Sequence, residues 1–218
     1  MASGGPMVWI TPFFTMWTRP RRTMRAILET NPRRFVIPLA VLSGFGSALD
    51  RASGRSIGDG NTLPVWAIIL LCVVAGALGG LLTVYGGGWL LRLSGGWLGG
   101  GGSYVGVRSA LAWSSVPLIW SLLLWPPELA LIGREMFTTA TPTLDAYPVL
   151  WLPFGLLILL EVVIGIWAFV VFLKALGEAH GFSAWRSLAA AAIAAGLVLI
   201  PILAVAVPLA ILASALGA

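Results

Sequence analysis

Between Val65 and the C-terminus, four long stretches are almost free of charge. Val65–Leu91, Ser109–Pro127 and Ser187–Ala218 hold no acidic or basic residue, and Ala146–Leu173 holds only Glu161. A helix needs about 20 apolar residues to cross a hydrocarbon layer of ~30 Å, and each stretch supplies roughly that. A soluble fold does not tolerate so many such runs, because a surface helix needs a polar outer face. The pattern predicts an all-α membrane protein that crosses the bilayer several times.

With 218 residues, 59% hydrophobic and 10% charged, the chain has room for one helical bundle and no separate soluble domain. A shorter apolar run, Phe35–Leu49, adds a fifth span, giving a bundle of five transmembrane helices over about 35–49, 65–85, 107–125, 149–175 and 185–212. Fifteen residues make only about 22 Å of helix, so this first span requires Arg33, Arg34 and Arg51 to reach outward to the interfaces. The glycine-dense stretch 86–102 is expected to be a loop, and Pro126–Pro148 the longest hydrophilic loop. Pro117 interrupts the third span, and Pro201 and Pro208 kink the fifth.

Residues 1–34 form an expected cytoplasmic, interfacial amphipathic segment ahead of the five-helix domain 35–218. Met7–Trp17 is short, contains Pro12 and has its arginines after it, which is unlike a cleavable leader, so the first span is expected to act as an uncleaved anchor. Its aromatics followed by Arg19, Arg21, Arg22 and Arg25 suit rings and guanidinium groups at lipid-headgroup depth. Pro20 starts a short helix to about Thr30, with Met24, Ile27 and Leu28 as an apolar stripe.

A net charge of +5 need not mean a nucleic-acid partner, because the twelve arginines and one lysine mostly flank apolar runs, where they anchor to headgroups. Counted by side with five spans, ten positive residues share the side of the N-terminus and three lie opposite; without the first span the split is nine to four. Positive charge collects on the cytoplasmic side, so the N-terminus is expected in the cytoplasm and the C-terminus outside, in a cell inner membrane. Cys72 is the single cysteine, leaving no disulfide framework and no cysteine metal site.

Glu161 is the sharpest candidate for function, an acid near the middle of the fourth span, where it must be protonated, paired or facing water. Ser114, Ser115, Tyr85 and Trp113 are its candidate hydrogen-bonding neighbours, and no second acid is expected inside a span. Ser114 and Ser115 precede Pro117 and equally suit re-satisfying the kink that proline makes. The glycine stretch lacks the Gly-Lys-Ser/Thr ending of a phosphate loop. It suits close packing or a hinge, through Gly95, Gly96, Gly99 and Gly100, with Arg92, Trp97 and Arg108 placed to hold a lipid phosphate. Gly76 and Gly80 form a small-xxx-small face for helix packing, compatible with a homo-oligomer. His180 and Glu178, on an expected loop, are too sparse for a metal site. No pair of aspartates, Ser/His couple or His-Glu-x-x-His helix lies in the spans. No cofactor, metal or catalysis is expected.

Three stretches stand out: Trp17-Thr18-Arg19-Pro20-Arg21-Arg22 running on to Asn31-Pro32-Arg33; Gly95-Gly96-Trp97-Leu98-Gly99-Gly100-Gly101-Gly102-Ser103 running on through Val107-Arg108-Ser109-Ala110 to Pro117; and Glu178-Ala179-His180-Gly181-Phe182-Ser183-Ala184-Trp185. Together they resemble the Yip family of polytopic membrane proteins, in its short bacterial form. The resemblance implies a five-helix bundle with a cytoplasmic N-terminus and a role in membrane trafficking or organisation. In eukaryotes the family is named for interaction with Rab proteins, and those relatives carry a long cytoplasmic N-terminal region; with only about thirty residues ahead of the first span here, Rab-type partners are not expected. The expected function is a non-catalytic, membrane-organising or partner-binding component, with membrane lipids, another membrane protein or a second copy as partner. The alternative is a small transporter, channel or lipid-moving protein built on Glu161 and the proline-broken helices.

Overall fold

The computed structural model describes residues 7–60 and 62–216, with side chains for 11–60 and 62–210. All regular structure among them is helical. Helix α1 (Met7–Thr18) turns at Arg19 into α2 (Pro20–Thr30), and α3 (Val36–Gly54) follows. Next, α4 (Val65–Leu82) continues through a π-helical turn at Thr83–Gly87 into α5 (Gly88–Trp97). The third apolar segment is α6 (Tyr104–Ser114), α7 (Val116–Ser121), α8 (Trp125–Ile132) and a 3-10 turn to Phe137. After α9 (Pro142–Ala146) come two long helices, α10 (Trp151–His180) and α11 (Ala184–Leu216).

Four helical segments are long and apolar enough to cross a membrane: Val65–Trp97, Tyr104–Phe137, Pro148–His180 and Ala184–Ala210. That corrects the expectation of five. The missing one is α3, whose helix takes in Asp50 and Arg51 before it ends at Gly54. It lies antiparallel along α4 at very close range. A Cβ on Gly80 would strike the Ala40 carbonyl, and one on Gly76 would lie 2.6 Å from the Phe45 Cα. Gly44 meets the same two α4 glycines, so only glycine lets these backbones approach.

Two further boundaries move. The glycine stretch is mostly helix, with only Leu98–Ser103 left as a loop between α5 and α6, so Val65–Trp97 spans about 50 Å. The 126–148 segment is not a hydrophilic loop either. Pro126 and Pro127 occupy the first turn of α8, where a missing N–H costs nothing, so they start a helix instead of ending one. The break before Pro117 falls where the sequence puts it, with α6 ending at Ser114 and α7 beginning at Val116.

The turns sort into two ends. At one, the Gly58 N–H donates to the Phe137 carbonyl (2.7 Å) and the Arg134 guanidinium to the Gly58 carbonyl (2.9 Å). At the other, the Gly101 N–H donates to the His180 carbonyl (3.1 Å), and Arg25 pairs with Glu178 (2.7 Å). Three apolar clusters fill the interior. One is built on Met16, Met24, Leu39, Trp113 and Val171; one on Leu49, Ile68, Cys72, Phe137 and Leu144; a smaller one on Leu91, Val107 and Leu176.

Candidate functional site

The end bearing α1 and α2 is assembled from segments far apart in sequence. The apolar stripe of α2 turns into the protein, with Met24 fully buried and Ile27 nearly so, beside the buried Met16 of α1. Leu28 packs half-buried against the same cluster. Trp167 on α10 donates its indole N–H to the Trp17 carbonyl (3.0 Å), and Arg21 donates to the Phe182 carbonyl (3.4 Å). With Glu178 opposite, the Arg25 guanidinium holds its proton still more firmly than usual, chiefly through that hydrogen bond. Of the four N-terminal arginines, two are therefore spent on the corner between α10 and α11, while Arg19 and Arg22 stay exposed.

The glycine loop closes around one imidazole. His180 is not on a loop; it is the last residue of α10, 5% exposed, stacked on Phe182 with centroids 4.9 Å apart and planes 3° from parallel. A Cβ on Gly95, Gly100 or Gly102 would collide with its ring. Gly96 and Gly99 meet nothing, and Gly99 instead adopts φ +80°, which favours glycine. Three of the motif glycines thus make room for His180 and one makes the turn, while Gly96 does neither. Sequence reading missed His180 because a single histidine beside a Gly-Phe-Ser turn looks like surface.

Arg92 and Trp97 line a shallow cavity of about 420 Å³ with Gly96 and Gly100. Arg108 does not join them: it lies over the rings of Tyr85 (4.5 Å) and Tyr104 (4.9 Å), with Gly88 against its stem.

The polar neighbours expected for Glu161 are all engaged elsewhere. Ser114 and Ser115 donate to the Leu111 and Ala112 carbonyls of their own helix (2.9 and 2.6 Å). The Trp113 indole donates to the Arg34 carbonyl (3.3 Å), and the Tyr85 ring lies under the Arg108 guanidinium (4.5 Å). Glu161 instead has other acids within electrostatic range. Glu128 on α8 is 1% exposed, and neither of its carboxyl oxygens has a hydrogen-bond partner among the described residues. Glu161 on α10 and Asp50 on α3 both lie within electrostatic range of it. Asp50 is held by the Trp125 side chain and has Arg51 nearby. The expectation that Glu161 has no companion acid is overturned, because the third apolar segment runs on to Phe137 and carries Glu128 inside it. Among the described residues no His/Cys/Asp/Glu group has the geometry to hold a metal ion.

The sequence matches the Yip1 domain over residues 14–207, nearly its full length. This chain belongs to the Yip family. The matched region takes in the Trp17–Arg22 turn, the glycine loop and the His180 corner, the three places where this end of the bundle is tied together. Comparison with curated proteins and with solved structures gives no significant match. As a Yip family member with four long apolar helices, the protein is a multi-pass membrane protein.

Proposed function

We propose that this Yip family protein is a non-catalytic membrane-organising component. It works through the end formed by α1, α2, the glycine loop and the α10–α11 corner, which faces the cytoplasm of a cell with this protein in its inner membrane. The observation that carries the reading is the joining of those segments into one face by Arg25–Glu178, Arg21–Phe182 and Gly101–His180. Tethers of this kind prepay the ordering of loops that a partner would otherwise have to impose. Trp97 (60% exposed) and Trp185 (81% exposed) stand on that face, the residue type that anchors interfaces most effectively. The partner is another membrane protein or a second copy of this chain, with surrounding lipid covering the apolar outer sides of α10 and α11.

Complementation of a deletion strain tests the reading. Trp97→Ala with Trp185→Ala is expected to abolish complementation at normal protein levels, while Glu128→Gln with Glu161→Gln complements fully. The reverse pattern would sink it.

The second reading is a transport or lipid-moving role, and the observation favouring it is the buried Glu128, without a hydrogen-bond partner among the described residues and within electrostatic range of Glu161 and Asp50. Intramembrane acids that face one another can share and pass protons. Its test is a liposome assay following ion leak and lipid flip together. Activity lost in Glu161→Gln or Glu128→Gln would establish this reading, and an inert parent protein would dismiss it.

A further inference from the structure

Between α1 and α2 lies a second cavity of about 380 Å³, away from the exposed tryptophans. Its floor is apolar, made by Ile27, Phe35 and Trp113, and its rim carries Arg19, Arg22 and Arg34. No carboxylate is among its lining residues. The walls are fixed. Phe13, Phe35 and Trp113 form a three-ring cluster with centroids 5.1 to 6.1 Å apart. The Thr23 hydroxyl donates to that of Thr15 (2.9 Å) and holds the two helices at their present opening. Phe35 reaches its place with φ at +58°, a conformation uncommon for a bulky residue, and the ring cluster is what holds it there.

From this geometry we propose that the cavity binds one anionic phospholipid from the surrounding leaflet. The phosphate sits between the guanidinium groups of Arg19 and Arg22, and the first carbons of an acyl chain lie on Phe35 and Trp113; the Arg34 guanidinium already lies over the Phe35 ring, 5.1 Å from its centroid. Charge and shape both point to such a ligand. Arginine presents a planar fork of donors that matches phosphate, and an apolar floor below a cationic rim fits a molecule that is anionic at one end and aliphatic at the other. The volume takes a headgroup and the start of a chain, with the rest of the lipid remaining in the bilayer. Arg19 and Arg22 have no ion-pair partner among the described residues, in contrast to Arg25 on the same helix. Such a lipid would clamp α1 to α2 above Trp113. The site rests on this end lying at a membrane surface and does not depend on the partner-binding role of Trp97 and Trp185.

The test is retention of lipid by purified full-length protein, read by native mass spectrometry after exchange into phosphatidylglycerol or phosphatidylcholine. One phosphatidylglycerol per chain is expected, held in preference to phosphatidylcholine. Arg19→Gln with Arg22→Gln should weaken its retention about tenfold or more, since each cation near an anionic lipid contributes substantially. Arg33→Gln with Arg186→Gln removes the same charge from the same end of the bundle, outside the cavity and at exposed positions. It should retain lipid within about twofold of the parent, on the same scale of charge effects. Equal loss in both pairs would mean general surface attraction and overturn the proposal. So would unchanged retention in the first pair, or displacement of the lipid by inorganic phosphate, which would mark a phosphate site.

Discussion

Glu128 lies on α8 with both carboxyl oxygens buried and without a hydrogen-bond partner among the described residues, on the same segment as the core residues Trp125, Ile132, Met136 and Phe137. Removing a buried polar group that has no partner relieves a desolvation cost of about 1–3 kcal/mol. Glu128→Leu is therefore expected to raise the thermal unfolding midpoint in detergent, and a fall would mean the carboxyl has a partner in the folded protein. At this scale the sequence is least legible. Pro126-Pro127 looks like a helix stop, so Glu128 reads as a loop acid, whereas the prolines occupy the α8 first turn and carry the acid inside. Glu161 was visible as the one acid in a long apolar run, but which residues approach it depends on how three helices pack, and nothing in the local pattern encodes that.

Helix α3 shows what a single glycine decides between two elements. Gly79 and Gly80 are neighbours on α4, yet a Cβ on Gly79 meets only an Arg51 nitrogen at 3.8 Å, while one on Gly80 collides with the backbone of α3. Gly79→Ala is expected to be neutral or to stabilise by up to about 1 kcal/mol through helix propensity. Gly80→Ala should destabilise by about 1–3 kcal/mol, because the helices must separate. Thermal unfolding of the two variants side by side checks this; equal effects would mean that α3 and α4 do not pack this closely. The small-xxx-small spacing of Gly76 and Gly80 was legible, but its partner, the α3 face at Ala40 and Gly44, was not. The N-terminal segment shows a related limit. Its stripe of Met24, Ile27 and Leu28 was plain, and helix periodicity gives the face but not whether lipid or protein covers it. Here protein covers it, so deleting 7–25 would open the core as well as remove surface.

Over the whole molecule, the turns gather at two ends, and each end has its own fastening. At the end with few basic residues, Asp59 accepts from the Thr139 N–H (3.0 Å) and hydroxyl (2.5 Å). Those two bonds hold its carboxyl below the usual carboxylate range. A group whose folded value is depressed stabilises above its unfolded value and loses that contribution as pH falls through the folded one. Exchange of the Thr139 amide, corrected for its intrinsic rate, should accelerate below about pH 4, and Asp59→Asn should remove that pH dependence. A flat profile in the parent would mean the tether does not form. At the other end, the arginine-rich turns all converge, an arrangement that the charge count along the sequence anticipates and that the number of independent apolar spans does not.

The claim that this converged end is a cytoplasmic face is tested most directly by labelling two cysteines with a membrane-impermeant maleimide in intact cells. In a Cys72→Ala background, Arg186→Cys marks the α10–α11 corner and Asp145→Cys marks the opposite end, both at exposed positions. The account predicts that Asp145→Cys labels in intact cells, while Arg186→Cys labels only after the membrane is opened. Labelling of Arg186→Cys from outside would contradict it.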